Sequence, residues 1–171
     1  MPERSAPATE SVWDYPRPPD VVPSDEEVEV FFAGRSIAYT SSSLRVRETS
    51  HPPAYYIPMD AFAQGVLQPV RGTTFCEFKG VAHYFDVVAD TASDASGVSE
   101  ERVAPRAAWH YPKTTRGFEM LSGHVALMPG MVDYCTVNGE RVQPQEGSFY
   151  GGWITSRVVG PFKGAPGTLG W

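Results

Sequence analysis

The stretch Arg47-Glu-Thr-Ser-His-Pro-Pro-Ala-Tyr-Tyr-Ile-Pro58 decides the fold that we expect of this chain. Its prolines fix their own φ angles, and Pro52 also keeps His51 out of the helical region, so the segment is expected to be extended and stiff. Alternation along an extended chain would place Glu48 and His51 on opposite sides. Because proline lacks the N–H that an inner strand donates, we predict an edge strand or a strand that runs into a loop.

The same stretch carries four side chains that can transfer a proton or form a hydrogen bond, namely Glu48, His51, Tyr55 and Tyr56. Polar groups clustered on a stiff backbone are typical of a pre-arranged site. A structural interpretation stands beside this one: the tyrosines would be partly core and partly surface, and the prolines would only end a strand. The residues alone leave both interpretations open.

Composition limits the function classes. The chain has 171 residues, a formal net charge of −6 and no run of Lys or Arg, which argues against nucleic acid and anionic membrane surfaces as partners. The first ten residues lack an apolar signal region and no stretch has membrane-spanning length, so we expect a cytoplasmic protein. The two cysteines, Cys76 and Cys135, are not spaced like a disulfide framework and are expected to be free thiols.

The distribution of hydrophobic residues predicts one domain with two arms. Residues 1–23 lack a hydrophobic period and are expected to be a disordered or extended N-terminal arm. Residues 24–142 carry the alternating patterns and form the core domain. Residues 143–171 are rich in glycine yet keep Phe149, Tyr150, Trp153, Phe162 and Trp171, so this C-terminal arm is expected to dock on the core or on a second copy of the chain.

Alternating patterns within the core domain predict strands joined by tight turns. A three-stranded meander is expected over residues 27–48, with a turn at Ala33-Gly34, and Asn138-Gly139 marks a second hairpin turn. Asp60 and Thr115 are each expected to cap a short helix.

Residues 73–89 and 102–111 are expected to form an antiparallel hairpin with a long polar tip. If the tip is centred near residues 96–97, equal counting outward places Tyr84 opposite Trp109 and His83 opposite His110. A slip of one residue would undo both pairs.

With these segments in view, the chain resembles the bacterial family known as domain of unknown function 427, and in particular its longer, actinobacterial-type members. The resemblance is carried by Glu48-Thr-Ser-His-Pro-Pro-Ala-Tyr-Tyr-Ile-Pro58, Thr74-Phe-Cys-Glu-Phe-Lys-Gly80, Ala107-Ala-Trp-His-Tyr-Pro112 and Gly123-His-Val-Ala126. It implies a mainly β fold: a single curved antiparallel β domain, similar to the β-tent folds, with two short helices, extended terminal arms and a groove on its open sheet face. It implies no established activity, and we find neither a glycine-rich phosphate loop nor paired metal-binding aspartates.

Within the motifs, Glu48, Tyr55, Tyr56 and Lys79 are the residues suited to acid/base chemistry. The structural alternative is a salt bridge between Glu48 and Lys79 that holds two strands together. Cys76 precedes Lys79 by three residues, but strand positions three apart point to opposite faces, so we interpret Cys76 as a core thiol.

The four histidines, at positions 51, 83, 110 and 124, lack a local metal-binding spacing. A pair formed by His83 and His110 across the hairpin would be one way to assemble a metal site, but we predict no metal and no cofactor.

The sequence thus predicts a small-molecule-binding protein that, in an enzymatic version, performs enolisation, cyclisation or hydrolysis. Glu48, Tyr56 and Lys79 are the expected catalytic residues: a general base, an acid or oxyanion donor, and a balancing charge. The expected ligand-binding residues are His51, Tyr55, Tyr84, Trp109 and Tyr111. The alternative is a non-catalytic module that binds a protein or peptide; a homodimer formed through the terminal arms is a further expectation.

Overall fold

A computed structural model of the chain describes residues 8–147, 151–165, 167–168 and 170–171. The fold is mainly β, as predicted. The disorder expected of the first residues, together with Phe149 and Tyr150, lies outside the described residues. The strands are β1 (Glu10–Ser11), β2 (Asp20–Ser24), β3 (Val28–Phe32), β4 (Arg35–Thr40), β5 (Ser43–Arg47), β6 (Ala54–Pro58), β7 (Leu67–Cys76), β8 (Gly80–Asp90), β9 (Glu101–His110), β10 (His124–Leu127), β11 (Tyr134–Val137), β12 (Glu140–Arg141), β13 (Gln143–Pro144), β14 (Trp153–Ile154) and β15 (Val158–Val159).

Helical structure in the described residues is limited to single 3₁₀ turns at Val12–Asp14, Met59–Ala61, Glu119–Leu121 and Pro129–Met131, and none of these is long and apolar enough to cross a membrane. The two predicted helices are therefore shorter than expected. The first stops because Phe62 is extended and forms a bridge with Ala38. The second does not start at Thr115, whose hydroxyl donates to the Phe78 carbonyl instead of capping a helix.

The main element is a curled, antiparallel seven-stranded sheet in the order β2-β5-β6-β10-β9-β8-β7. Strand β6 is an inner strand, paired with β5 and β10, so the first of the two predicted alternatives, an edge strand, is wrong. The prolines permit this position because Pro52 and Pro53 precede the strand and Pro58 is its last residue, which leaves every residue from Ala54 to Ile57 with an N–H.

A second, four-stranded sheet has the order β12-β11-β3-β4. The predicted meander is therefore divided: β3 and β4 pair through the Ala33-Gly34 turn, whereas β5 leaves for the seven-stranded sheet. Both residues of that turn have positive φ, as do Asn138 and Gly139, which is the geometry of tight hairpin turns. The main core contains side chains from both sheets, including Val30, Phe32, Tyr55, Ile57, Phe85, Val125, Leu127, Cys135 and Trp153.

The two ends of the described chain meet beside the seven-stranded sheet. Strand β1 pairs in parallel with β15, and the boundary expected near residue 23 falls inside β2, which pairs with β5. Charged groups join these pieces: Arg45, only 2% exposed, binds Glu10 at 2.7 Å, and Arg157 binds the buried Glu26 at 2.8 Å. The Glu26 carboxylate also accepts a hydrogen bond from Tyr55 at 2.8 Å.

This network predicts a large loss of stability when Glu26 loses its charge. Glu26→Gln should lower the free energy of unfolding by about 3 kcal/mol, since the guanidinium groups of Arg157, at 2.8 Å, and of the buried Arg45, at 3.8 Å, would lose a carboxylate partner. The matched control is Glu100→Gln, whose exposed pair with Arg102 at 3.7 Å should contribute less than about 1 kcal/mol. Urea unfolding of both variants measures the difference, and equal losses would contradict a stabilising role for the network.

Candidate functional site

A cavity of about 790 Å³ lies against the face of the seven-stranded sheet that is turned away from the main core. Its walls come from strands β5 to β9 and from both ends of the chain. Its lining comprises Arg17, Val46, Glu48, His51, Pro52, Ala54, Tyr56, Thr74, Glu77, Phe78, Lys79, Tyr84, Arg106, Trp109, Tyr111, Met128, Met131, Gln145, Gly151, Gly152, Lys163 and Trp171. Seven of the eight residues selected from the sequence are in this set, and Tyr55 is the exception.

Tyr55 lies on the opposite face of the sheet because neighbouring side chains in a strand alternate. Its ring packs in the main core, 5.0 Å from the ring of Trp153, and its hydroxyl donates to Glu26. The expectation that Tyr55 shares the groove with Tyr56 therefore does not hold.

Tyr56 points toward the cavity from the centre of the sheet and is 1% exposed. The indole N–H of Trp109 donates to the Tyr56 hydroxyl oxygen at 3.3 Å. Burial raises the pKa of Tyr56 well above its ordinary value, while hydrogen bonds from Trp109 and Tyr111 act in the opposite direction. Tyr56 consequently stays neutral at physiological pH and keeps a proton that it can donate to a ligand oxygen.

A tight turn between β5 and β6 brings Glu48 and His51 together. The His51 N–H donates to the Glu48 carbonyl at 3.0 Å, and Ser50 has a φ of 71°. The expectation that Glu48 and His51 lie on opposite sides of an extended chain is therefore wrong. Their side chains approach to 3.6 Å, and Arg17 lies 3.8 Å from the same carboxylate.

His51 is held as a neutral ring. Burial lowers its pKa to about 4, and the nearby charges of Lys163, Arg17 and Lys79 add to this effect. The carboxylate of Glu48 does not reverse the shift, because desolvation and three cations act against one anion. The side-chain amide of Gln145 lies 3.3 Å from His51 Nδ1. At neutral pH His51 is therefore uncharged.

Lys79 lies on the turn between β7 and β8, and neighbouring residues fix this turn. The Thr115 N–H donates to the Lys79 carbonyl at 3.1 Å, and a side chain at Gly80, whose φ is +115°, would lie 2.9 Å from the Lys113 carbonyl. Because Lys79 is on a turn, the strand alternation expected between Cys76 and Lys79 does not apply.

The ammonium group of Lys79 lies over the Tyr111 ring, 5.8 Å from its centroid. Within the described part of the chain, no carboxylate lies within 4 Å of this ammonium, so the salt bridge with Glu48 that we considered does not form there. Both charges line the cavity, which leaves them available to a ligand.

The predicted hairpin register is confirmed at the cavity end, where Tyr84 pairs with Trp109 and His83 with His110. The tip itself is centred one residue earlier than we expected, since Asp90 pairs with Glu101. A bulge after Phe85 adds two residues to β9 and restores the predicted pairs.

Arg106 lies in that bulge and was not selected from the sequence. Its φ is 51°, its backbone N–H donates to Asp86 at 2.8 Å and its guanidinium group lies over the Tyr84 ring at 4.2 Å. The same guanidinium donates to the Arg71 carbonyl at 2.7 Å, an approach that depends on the missing side chain of Gly72. A bulge leaves no clear signal in the sequence, which explains why the residue was missed.

The C-terminal segment covers part of the cavity. Gly151 lies against Trp109, so that a Cβ there would be 2.4 Å from the ring, and a Cβ on Gly152 would be 2.5 Å from Pro52. The backbone N–H of Lys163 donates to the Ser50 carbonyl at 2.8 Å. A side chain at Gly151 or Gly152 would clash with these neighbours, so both positions require glycine. The two glycines are the only sign in the sequence of this close packing.

The remaining candidates lie apart from this chemistry. Cys135 is buried in the main core, and burial raises its pKa above the ordinary value of a thiol. The rings of His83 and His110 are 6.0 Å apart. Among the residues that the structure describes, no group of three or more His, Cys, Asp or Glu side chains is placed to hold a metal ion.

Comparison with known proteins identifies one family. The sequence profile of the family described as a domain of unknown function, DUF427, matches residues 20–138. This chain belongs to the DUF427 family. No curated protein matches the sequence.

The DUF427 match separates the cavity into two parts. Residues 20–138 supply the sheet, the turn that carries Glu48 and the turn that carries Lys79. Six lining residues lie outside the match: Arg17, Gln145, Gly151, Gly152, Lys163 and Trp171. In this DUF427 protein, the segments that flank the family domain therefore complete the cavity wall.

The position of His51 in the DUF427 domain predicts a pH dependence. Because its folded-state pKa is about 4 and an unfolded histidine titrates near 6.5, protons bind the unfolded state preferentially between these values, and His51 should reduce stability as the pH falls through this window. Above about pH 6.5 the contribution should vanish.

Titration of the imidazole signals by NMR measures the pKa of His51 directly. His51→Gln should flatten the fall in unfolding free energy between about pH 6.5 and 4, whereas His124→Gln serves as the matched control outside the cavity. A His51 pKa near 6.5 in the folded protein would contradict the burial of the ring.

Proposed function

We propose that this protein binds a small organic molecule in the cavity and acts on it by acid/base chemistry. The observation that carries the proposal is the convergence of seven residues, chosen for their chemistry, on one cavity: Glu48, His51, Tyr56, Lys79, Tyr84, Trp109 and Tyr111. The volume of about 790 Å³ falls within the range of pockets that hold drug-sized ligands, about 300–1,000 Å³.

The chemistry follows from the three expected catalytic residues. Glu48 is the general base, since its carboxylate faces the cavity and its contacts to Arg17 and His51 are long, at 3.8 and 3.6 Å. Tyr56 donates its proton to a substrate oxygen, and Lys79 balances the charge that develops there. This set supports proton abstraction next to a carbonyl, cyclisation or hydrolysis, and neutral His51 is a ligand-binding residue that can form a hydrogen bond.

The proposal predicts that Glu48→Gln and Tyr56→Phe remove function while the fold persists. Neither change alters the volume of the side chain by much, and loss of the hydrogen bonds from Trp109 and Tyr111 to the Tyr56 hydroxyl should lower the unfolding free energy by about 2 kcal/mol. Ligands found in a fragment library by ¹H–¹⁵N chemical-shift changes should bind at least about tenfold more weakly to the variants, and any turnover should be lost.

Matched controls keep this test decisive. Glu101→Gln and Tyr39→Phe make the same changes at exposed positions outside the cavity and should leave binding unchanged. If Glu48→Gln or Tyr56→Phe instead unfolds the protein, those residues are structural. Unchanged binding and turnover in both folded variants would refute the proposal.

A second candidate function is peptide docking, and strand β7 is the observation that favours it. This ten-residue strand is the edge of the seven-stranded sheet, most of its residues are exposed, and Phe75 is 75% exposed. An extended peptide could add to such an edge by main-chain hydrogen bonds. Proline substitutions made one at a time along β7 would remove an N–H from the edge wherever that N–H points away from β8, so reduced binding to a peptide library with an unchanged cavity would favour docking over small-molecule binding.

A further inference from the structure

The cavity is positively charged although the chain is acidic. Its lining contains four basic residues, Arg17, Lys79, Arg106 and Lys163, and two acidic ones, Glu48 and Glu77, which gives a formal charge of +2. The whole chain has a formal net charge of −6. A charge of opposite sign concentrated in a cavity attracts ligands that carry the complementary charge.

The basic side chains differ in what they already contact. Arg17 lies 3.8 Å from Glu48, Arg106 donates to the Arg71 carbonyl, and Lys163 Nζ donates to the Trp171 carbonyl at 3.2 Å. Lys79 instead has an aromatic ring as its nearest described partner. A ligand anion would complete the pairing of this partly buried ammonium, which is costly to leave unpaired.

The effect of Lys79 extends to two walls of the cavity. Its charge lowers the pKa of His51 on one wall and opposes the rise in the pKa of Tyr111 that burial causes on the other. An anion bound to Lys79 would therefore lie beside Tyr111, whose ring centroid is 5.8 Å from the ammonium. Electrostatic energy therefore favours this wall of the cavity for the charged end of a ligand.

The surfaces beside Lys79 are flat and aromatic. The rings of Tyr56 and Tyr111 are 6.4 Å apart and tilted by 31°, and Trp109 is held by its hydrogen bond to Tyr56 and by the backbone of Gly151. Rigid rings of this kind bind planar groups by stacking or edge contacts. The cavity thus offers a cation next to an aromatic surface.

We propose that the ligand is a planar aromatic carboxylate, whose ring packs against Trp109 and Tyr111 and whose carboxylate binds Lys79. This inference rests on the proposed function and specifies its ligand class. Arg106, stacked on Tyr84 at the cavity wall, adds positive charge that draws the anion inward.

The test uses the full chain and probes that differ in one property at a time. 2-Naphthoate, 2-naphthamide and 2-naphthyl phosphate share a planar ring and differ in charge, and decalin-2-carboxylate keeps the charge without the planar ring. Calorimetry gives the affinities, and ¹H–¹⁵N shift changes of the Trp109 indole locate the site. We expect 2-naphthoate to bind at least about tenfold more tightly than the amide and the decalin acid, with an affinity that falls as salt is added.

Two lysine variants separate a local contact from a general effect of charge. Lys79→Met should weaken 2-naphthoate about tenfold and leave the amide unchanged, since one charge–charge contact is removed. Lys113→Met removes the same charge from an exposed position outside the cavity and should change neither affinity. Equal weakening in both variants would refute a carboxylate contact with Lys79.

Each remaining outcome has a defined meaning. Equal or tighter binding of the amide in the cavity would overturn the anionic class and leave the proposed function standing, and tighter binding of the phosphate would replace the carboxylate by a phosphoryl group. No shift at Trp109 with any of the probes would overturn the ligand class. The proposed function is then tested separately, by the binding of the fragment hits to the Glu48 and Tyr56 variants.

Discussion

The pleat of strand β6 is the constraint on which the rest of the structure depends. Because consecutive side chains of a strand point in opposite directions, Tyr55 and Tyr56 belong to different environments although one bond in the backbone connects them. Tyr55 enters the core and the ionic network at Glu26, whereas Tyr56 forms the floor of the cavity beneath Trp109. A single inner strand, paired on both sides, therefore determines the position of the core relative to the candidate site.

The candidate site combines this rigid strand with two turns that are held by hydrogen bonds. The turn that carries Glu48 and His51 is closed by its own backbone hydrogen bond, and the turn that carries Lys79 is held by Thr115. Arg106 is directed by a bulge rather than by regular strand geometry. Polar groups are thereby placed on rigid backbone, which is the condition for orienting a ligand without a large entropic cost.

The sequence predicted features that depend on local patterns and missed those that depend on distant contacts. Alternation and turn residues predicted the β fold. Counting along the hairpin predicted that Tyr84 faces Trp109, but this pair forms only because the bulge after Phe85 offsets the shift of the hairpin tip. Proline rules misplaced β6, because the prolines flank its hydrogen-bonded part. Arg17 and Lys163 could not be assigned to the site from sequence, since they reach it only through contacts between the chain ends and the sheet.

The close packing of Gly151 and Gly152 on Trp109 and Pro52 has a consequence for the diversity of the DUF427 family. In this chain the matched domain forms most of the cavity wall, and the segment beyond residue 138 covers part of the cavity. Under the proposed function, a relative that ended near that residue would have a cavity more open to solvent and would accept longer or bulkier ligands. On the same proposal, ligand selectivity among homologues diverges through the growth or loss of chain termini, while the sheet itself is left unchanged.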